Sequence, residues 1–231
     1  MRTRLLPLVA VLLALASMTA CGGDGGSATK QEKPSDVLAQ AKQKFDDARS
    51  VHLTLATDST PTKGNAVLGA DGTLTQQPAF EGSVKVLLSG FTADVPVTSV
   101  DGKVYAKLPL TPSYTQIDPA EYSAPDPADF ADPDAGVSAL LTQMQGVEKG
   151  AKSRKGSQIL TTFTGTLPGK LVKPIIPSAS AADTYATEVG IDDKGNIATI
   201  EVTGEFFSGG GDETYRLTFD DYGKSVTVTK P

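Results

Sequence analysis

The pattern of apolar and polar positions changes period several times along this chain. An almost unbroken apolar run at 5–16 follows a short basic start, Arg2 and Arg4, and gives way to Ser17-Met18-Thr19-Ala20-Cys21. A basic start, an apolar stretch of this length and small residues at a cut site predict an export signal, too short to be a spanning helix. The cysteine directly after Thr-Ala predicts a lipoprotein signal, cut before Cys21, whose thiol is thioether-linked to diacylglycerol and whose new amino terminus is open to acylation. Gly22-Gly23-Asp24-Gly25-Gly26-Ser27 and the residues up to Pro34 are too small and polar to pack, and read as a flexible tether. The expected organisation is a signal at 1–20, a tether at 21–34 and one folded domain at 35–231.

Within the domain, Val37, Leu38, Ala41, Phe45 and Ala48 recur at spacings of three and four. Pro34 and Ser35 precede them, so the spacing predicts an amphipathic helix over 35–49 with a capped start. From Val51 the period becomes two. Leu53 and Leu55 alternate with polar or small residues, then Val84, Val86 and Leu88, then Phe91, Ala93, Val95 and Val97. Val104, Ala106 and Leu108 continue the alternation after Asp101-Gly102, a strong hairpin signal. Prolines and aspartates interrupt 109–133. Val137, Leu140, Leu141 and Met144 form a second helical stripe over 135–145, and Ile159, Thr161 and Phe163 share one face of a strand over 157–166. Residues 167–176 read as a short helix or turn. Strands follow over 184–192, 197–207 and 214–220, with 225–229 as an added edge. Short turns between successive strands make the sheet antiparallel, since parallel pairs need long crossovers. The pattern predicts an α+β fold, a large curved antiparallel sheet with helices on one face.

Composition narrows the function. The 231 residues carry a formal charge of −6, and loss of Arg2 and Arg4 with the signal takes it to −8. A chain this acidic is a poor partner for nucleic acid and for purely electrostatic binding to anionic lipid. Hydrophobic residues at 39% with charges at 21% exclude a wholly disordered chain and a multispan membrane protein. One cysteine allows no intrachain disulfide, and a single histidine, His52, argues against a multi-histidine metal site. His52 stands at a helix-to-strand junction without a neighbouring nucleophile or ligand pattern, and reads as a surface or boundary residue. The sequence contains no Gly-x-Ser-x-Gly elbow, no His-Glu-x-x-His and no phosphate-binding Gly-Lys-Ser/Thr loop. The expectation is a protein without catalytic residues, metal or cofactor.

One acidic segment invites a calcium reading, Asp126-Pro127-Ala128-Asp129-Phe130-Ala131-Asp132-Pro133-Asp134. A calcium loop from Asp132 would need an acceptor at its fifth position and Glu at its twelfth, where Gly136 and Gln143 stand. Capping of the following helix by Asp132 or Asp134 is the competing reading. What remains is apolar surface. The inward residues Ala93, Val95, Val97, Val104 and Ala106 are small or β-branched, and the chain has no tryptophan. Such low bulk permits an open hollow, whereas compact packing is the commoner outcome for a sheet, and periodicity leaves both open.

The order of features resembles the LppX/LprAFG family of actinobacterial lipoproteins over essentially the whole mature chain. The resemblance rests on the lipobox and Cys21, the helix at 35–49, Val100-Asp101-Gly102-Lys103-Val104-Tyr105-Ala106 and Ile117-Asp118-Pro119. Above all it rests on Asp132-Pro133-Asp134-Ala135-Gly136-Val137 leading into Leu140-Leu141. Met18, where the lipobox prefers Leu, and the glycine-rich turn at 208–212 depart from it.

The resemblance implies a half-barrel of antiparallel strands with helices over its concave face, akin to the LolA/LolB carriers. It implies an apolar cavity that holds the acyl chains of a lipid or glycolipid, with the head group near the mouth. It also implies a protein anchored through Cys21 at the extracytoplasmic face of the cell membrane, which helps carry lipid across the envelope. An exporter in the membrane is then a candidate partner. On that footing the cavity candidates are Leu38, Ala41 and Phe45 from the first helix and Leu140, Leu141 and Met144 from the second. Val84, Val86, Leu88, Val95, Val97, Val104, Ala106, Ile159 and Phe163 are the candidates from strands. The rival expectation is an envelope interaction module, a packed sheet without a cavity that serves an exporter.

Overall fold

Among the described residues, eleven strands form one sheet in which each neighbouring pair is antiparallel. The computed structural model describes residues 32–231 other than 62, 63, 157, 208 and 210. The predicted signal, Cys21 and the tether up to residue 31 lie outside the described residues. The first described element is helix α1 (Pro34–Asp46), followed by β1 (Ser50–Thr57), β2 (Ala66–Thr75), β3 (Ala79–Leu88), β4 (Phe91–Val100), β5 (Lys103–Ala106) and β6 (Thr115–Ile117). Two 3-10 turns, Pro119–Tyr122 and Pro127–Ala131, and the short helix α2 (Ala139–Gln143) then lead to β7 (Gln145–Lys155) and β8 (Gln158–Pro168). Helix α3 (Gly169–Val172), β9 (Thr184–Ile191), β10 (Ile197–Gly204) and β11 (Glu213–Asp220) complete the chain order.

Spatial order runs β6-β5-β4-β3-β2-β1-β11-β10-β9-β8-β7, so two meanders meet where β1 pairs with β11. The sheet is curved and unclosed, with β6 and β7 as its edges. The connection between those edges must cross the whole sheet. Ten strand spacings of about 4.8 Å put the edges roughly 48 Å apart along the sheet, within reach of the intervening chain. That crossing is why the proline-rich segment covers a sheet face. The turn Pro127–Ala131 packs on β2, β3 and β4, while α1 packs on α2, β7 and β10 and α3 on β8 and β9.

Period two fixes the inward face. Leu53 and Leu55 of β1 stand opposite Phe219 and Leu217 of β11, and Val84 and Val86 of β3 opposite Val95 and Ala93 of β4. Leu38, Ala41 and Phe45 of α1 are buried, and the Phe45 ring meets Phe219 edge-on at 5.4 Å. Ser138 donates to Asp46 at 2.6 Å, tying the end of α1 to the start of α2. The Asp101-Gly102 turn is as expected: both residues have positive φ, 53° and 66°, as a two-residue hairpin of this type requires.

The structure corrects several element expectations. The first helix starts at Pro34, its first-turn proline, without a side-chain cap, rather than at a Ser35 cap, and ends at Asp46 rather than 49. The second helix shortens to Ala139–Gln143, because Asp132 accepts from the backbone N–H groups of Asp134 and Ala135 and folds the preceding segment into turns. That carboxylate caps a turn and not the helix it was expected to cap, since α2 begins four residues after Ala135, behind Ser138, with no side-chain cap. Residues 225–229 form no strand. β2, β6 and β7 were not foreseen.

Gly72 and Gly82 face each other across β2 and β3, and the Phe80 ring lies over both. A Cβ on Gly82 would stand 2.2 Å from the Asp71 carbonyl oxygen and 2.5 Å from the Gly72 Cα, neither of which can swing aside. Gly82→Ala is expected to cost about 1–3 kcal/mol in chemical denaturation. A variant as stable as wild type would show that this close approach is not a constraint.

On the outer face His52 lies between two carboxylates, its Nδ1 2.8 Å from Asp220 and its Nε2 3.4 Å from Asp71. Burial pulls the imidazole pKa down, but the two carboxylates outweigh it and leave the pKa raised above 6.5. A raised folded-state pKa means that the protonated pair stabilises fully below the unfolded value. That stabilisation fades as pH rises through the folded one. His52→Asn should therefore lose more stability at pH 5.5 than at pH 8.5. Denaturation midpoints that differ from wild type equally at both pH values would contradict this.

Candidate functional site

The inward face is filled unevenly. Under α1 and α2 the core is continuous, with Leu38, Ala41, Phe45, Leu140, Leu141, Met144 and Phe163 all buried in it. Under the 3-10 turns it opens into an apolar cleft. Val84, Val86 and Leu88 of β3, Val95 and Val97 of β4, and Val104 and Ala106 of β5 form much of its wall. Leu53, Leu55, Ala70 and Phe80 continue the wall, and Tyr122, Ala124, Pro125, Pro127 and Phe130 form the cover. The lining contains no charged residue.

The cavity volume of the cleft is about 70 Å³. A larger hollow, about 990 Å³, lies beneath the C-terminal tail, but Arg49, Gln76, Gln77, Asp101 and Lys230 line it and it stands open to water. Chemistry rather than size singles out the apolar cleft.

Seven of the fifteen cavity candidates thus line the cleft, and seven pack in the core beside it. The remaining one is corrected. Ile159 shares the face of Phe163 by alternation, but it stands opposite Arg154 where the β7–β8 hairpin runs past the core, and it is 44% exposed. Alternation gives a residue's face and not how far the cover extends. The cover residues themselves carry no period, so sequence reasoning had no means of placing Tyr122, Ala124 or Pro125 at a site.

A second, polar hollow adjoins the first and shares Leu55, Val67 and Ile175 with it. Asn65, Ser123, Ser178 and Tyr215 bring amide and hydroxyl groups to it, and its volume is about 190 Å³. Tyr215 donates to the Val67 carbonyl at 2.9 Å, reaching across β1, and burial pushes its phenol pKa up to about 12. It therefore stays a neutral hydroxyl at any physiological pH. Phe206 stacks on Tyr185 and meets Tyr215 edge-on, both at 4.8 Å, and Glu213 accepts from the Phe206 N–H at 2.9 Å. This cluster braces the polar end of the site.

The acidic segment offers no comparable site. Asp126 and Asp132 accept from neighbouring backbone N–H groups, and Asp129 has its pKa raised by burial and by those two carboxylates. Among the described residues no group of three or more His, Cys, Asp or Glu side chains is placed to hold a metal ion.

A large curved, unclosed antiparallel sheet with few helices is the fold of a known class of lipoproteins. The chain matches the LppX_LprAFG lipoprotein family over residues 33–228, and belongs to it. It is 28% identical over its full length to 99% of the lipoarabinomannan carrier protein LprG of Mycolicibacterium hassiacum. It is 26% identical, over 97% of its length and 94% of the relative, to lipoprotein LprA of Mycobacterium tuberculosis. Among solved structures, LprF from Mycobacterium bovis superimposes with a TM-score of 0.71 at 18% identity, over 86% of this chain and 96% of that one. LppX from Mycobacterium tuberculosis gives 0.60 at 18% identity, over 84% and 98%. These two likenesses establish the half-barrel fold that the resemblance implied.

Proposed function

We propose that this protein is a non-enzymatic lipid carrier, anchored through Cys21 at the extracytoplasmic face of the membrane. It takes up the acyl chains of a lipid or glycolipid in the apolar cleft and helps carry them across the envelope. The observation that carries this reading is the pairing of two hollows, an uncharged apolar cleft and, beside it, a vestibule of neutral amide and hydroxyl groups that shares Leu55, Val67 and Ile175 with it. Each buried methylene is worth about 0.8 kcal/mol, so acyl chains cross water slowly unless a protein supplies substitute apolar contacts. The vestibule suits a hydroxylated head group. The name of LprG as a lipoarabinomannan carrier supports the same reading.

The cleft as it stands is narrow, so loading must widen it. Pro119, Pro125, Pro127 and Pro133 keep the cover in short turns that pack on the sheet through side chains, and the cover can lift without breaking a strand ladder. That narrowness favours one rival reading, an interaction module with a packed sheet that serves an exporter. Native mass spectrometry of the purified chain separates the two. A stoichiometric acyl lipid that survives high salt is expected, and a lipid-free chain that cannot be loaded from vesicles would overturn the proposal.

A further inference from the structure

The apolar columns that wall the cleft do not stop at its mouth. On β4 the column Val97–Val95–Ala93 ends at Phe91, which is 80% exposed. Beside it, Val104 and Ala106 of β5 and the following Leu108 all line the cleft, and Leu110 comes next, fully exposed. Pairing of Val97 with Ala106 brings both ends to the same end of the sheet, where the cleft lining runs out at Leu88 and Leu108.

Leu110 is held there at a cost. Its φ is 68°, in the left-handed region that a γ-branched residue rarely adopts, and Thr111 clamps the turn by donating to the Leu108 carbonyl from both its N–H and its hydroxyl. Phe91 directly follows the tight Ser89-Gly90 turn, where φ is 50° and 87°. Two tight turns thus present large apolar side chains to water with no partner among the described residues. Their surroundings say what would cover them. Residues 86–93 and 108–117 contain no charged side chain, in a chain that is 21% charged. Tyr114, 37% exposed, adds an amphipathic ring of the kind that sits at membrane interfaces. Uncharged loops carrying exposed Phe, Leu and Tyr fit an uncharged apolar phase and offer nothing to a charged partner.

We propose that Phe91 and Leu110 form a rim that inserts into the acyl region of a lipid bilayer and seats the mouth of the cleft on the membrane. Acyl chains then pass from bilayer to cleft along the β4 and β5 columns without crossing water. The inference rests on the carrier reading above and adds the surface by which loading occurs.

The test uses a chain beginning at Glu32, which retains the whole described core and lacks the Cys21 anchor. Because the protein has no tryptophan, Phe91→Trp supplies a single reporter. On phosphatidylcholine vesicles its emission should shift to the blue and be quenched by brominated acyl chains, with little dependence on salt. The Phe91→Ser/Leu110→Ser double variant should bind these vesicles about tenfold more weakly and transfer a fluorescent diacyl lipid correspondingly more slowly. Its thermal unfolding and its lipid content at equilibrium should be unchanged. An unshifted tryptophan, or a double variant with wild-type vesicle binding and transfer, would overturn the rim. So would binding to native membranes but not to protein-free vesicles, which would assign the rim to a protein partner. Failure of the carrier reading looks different, since wild type itself would then hold no lipid.

Discussion

Ala70→Trp should fold and lose nearly all of its bound lipid. Ala70 sits on the inward face of β2, between Leu55 of β1 and Val84 of β3, and lines the cleft while only half-buried. A larger side chain there has free space on one side, so the strain of added volume should stay within about 1–3 kcal/mol. An indole in that space excludes acyl carbon. Displacing even about six methylenes removes on the order of 5 kcal/mol of burial, enough to lower affinity by more than about a thousandfold. Ala106→Trp makes the instructive contrast. Ala106 is 1% exposed, held opposite Val97 and Thr115, so the same substitution should block the cleft at a visibly larger loss of stability. The paired measurement is thermal unfolding and co-purified lipid by native mass spectrometry. If Ala70→Trp unfolds outright, this half of the sheet is a packed core. If it stays folded and keeps its lipid, the cleft is not where the chains lie.

What could be read from the sequence follows from which residues face one way only. β1, β3, β4 and β5 have one face on the core and one toward water, so their apolar residues alternate and their positions were legible. β7 is exposed along nearly its whole length as an edge strand, and Lys149, Lys152, Arg154 and Lys155 leave it no apolar period. Such charges protect an open edge from pairing with another chain, but they hide the strand from a pattern of burial. β2 was hidden by glycines, Gly69 and Gly72, which normally signal turns. Here Gly72 makes room for the Phe80 ring.

The site divides along the same line. Val84 to Ala106 could be placed because a strand face is inherited by the hollow it borders. The cover could not, since its apolar residues sit at irregular intervals between prolines. The split between filled and hollow halves was invisible as well. It depends on where α1 and α2 end and the proline-rich crossing begins, a matter of topology and not of any residue's own pattern.

Cys21→Ser is expected to release the protein from the membrane fraction almost completely. Cys21 is the sole cysteine, it follows the apolar run at the place where a lipoprotein signal is cut, and its thiol is the only group there able to form a thioether. Two acyl chains, each methylene contributing about 0.8 kcal/mol, hold a protein at a bilayer far more firmly than a single chain, whose binding is marginal and reversible. Serine preserves size and polarity and forms no thioether. The described core begins at α1, well past residue 21, so thermal unfolding should not change. Fractionation under high salt gives the first readout, and the mass of the N-terminal peptide gives the second. The rim at Phe91 and Leu110 would leave a weak attachment in equilibrium with solution, removed by repeated washing, whereas a diacylglycerol anchor resists washing. A Cys21→Ser protein that stays as firmly bound as wild type, with an unmodified N-terminal peptide in both, would sink the anchor. The exposed rim would then have to account for all of the membrane binding.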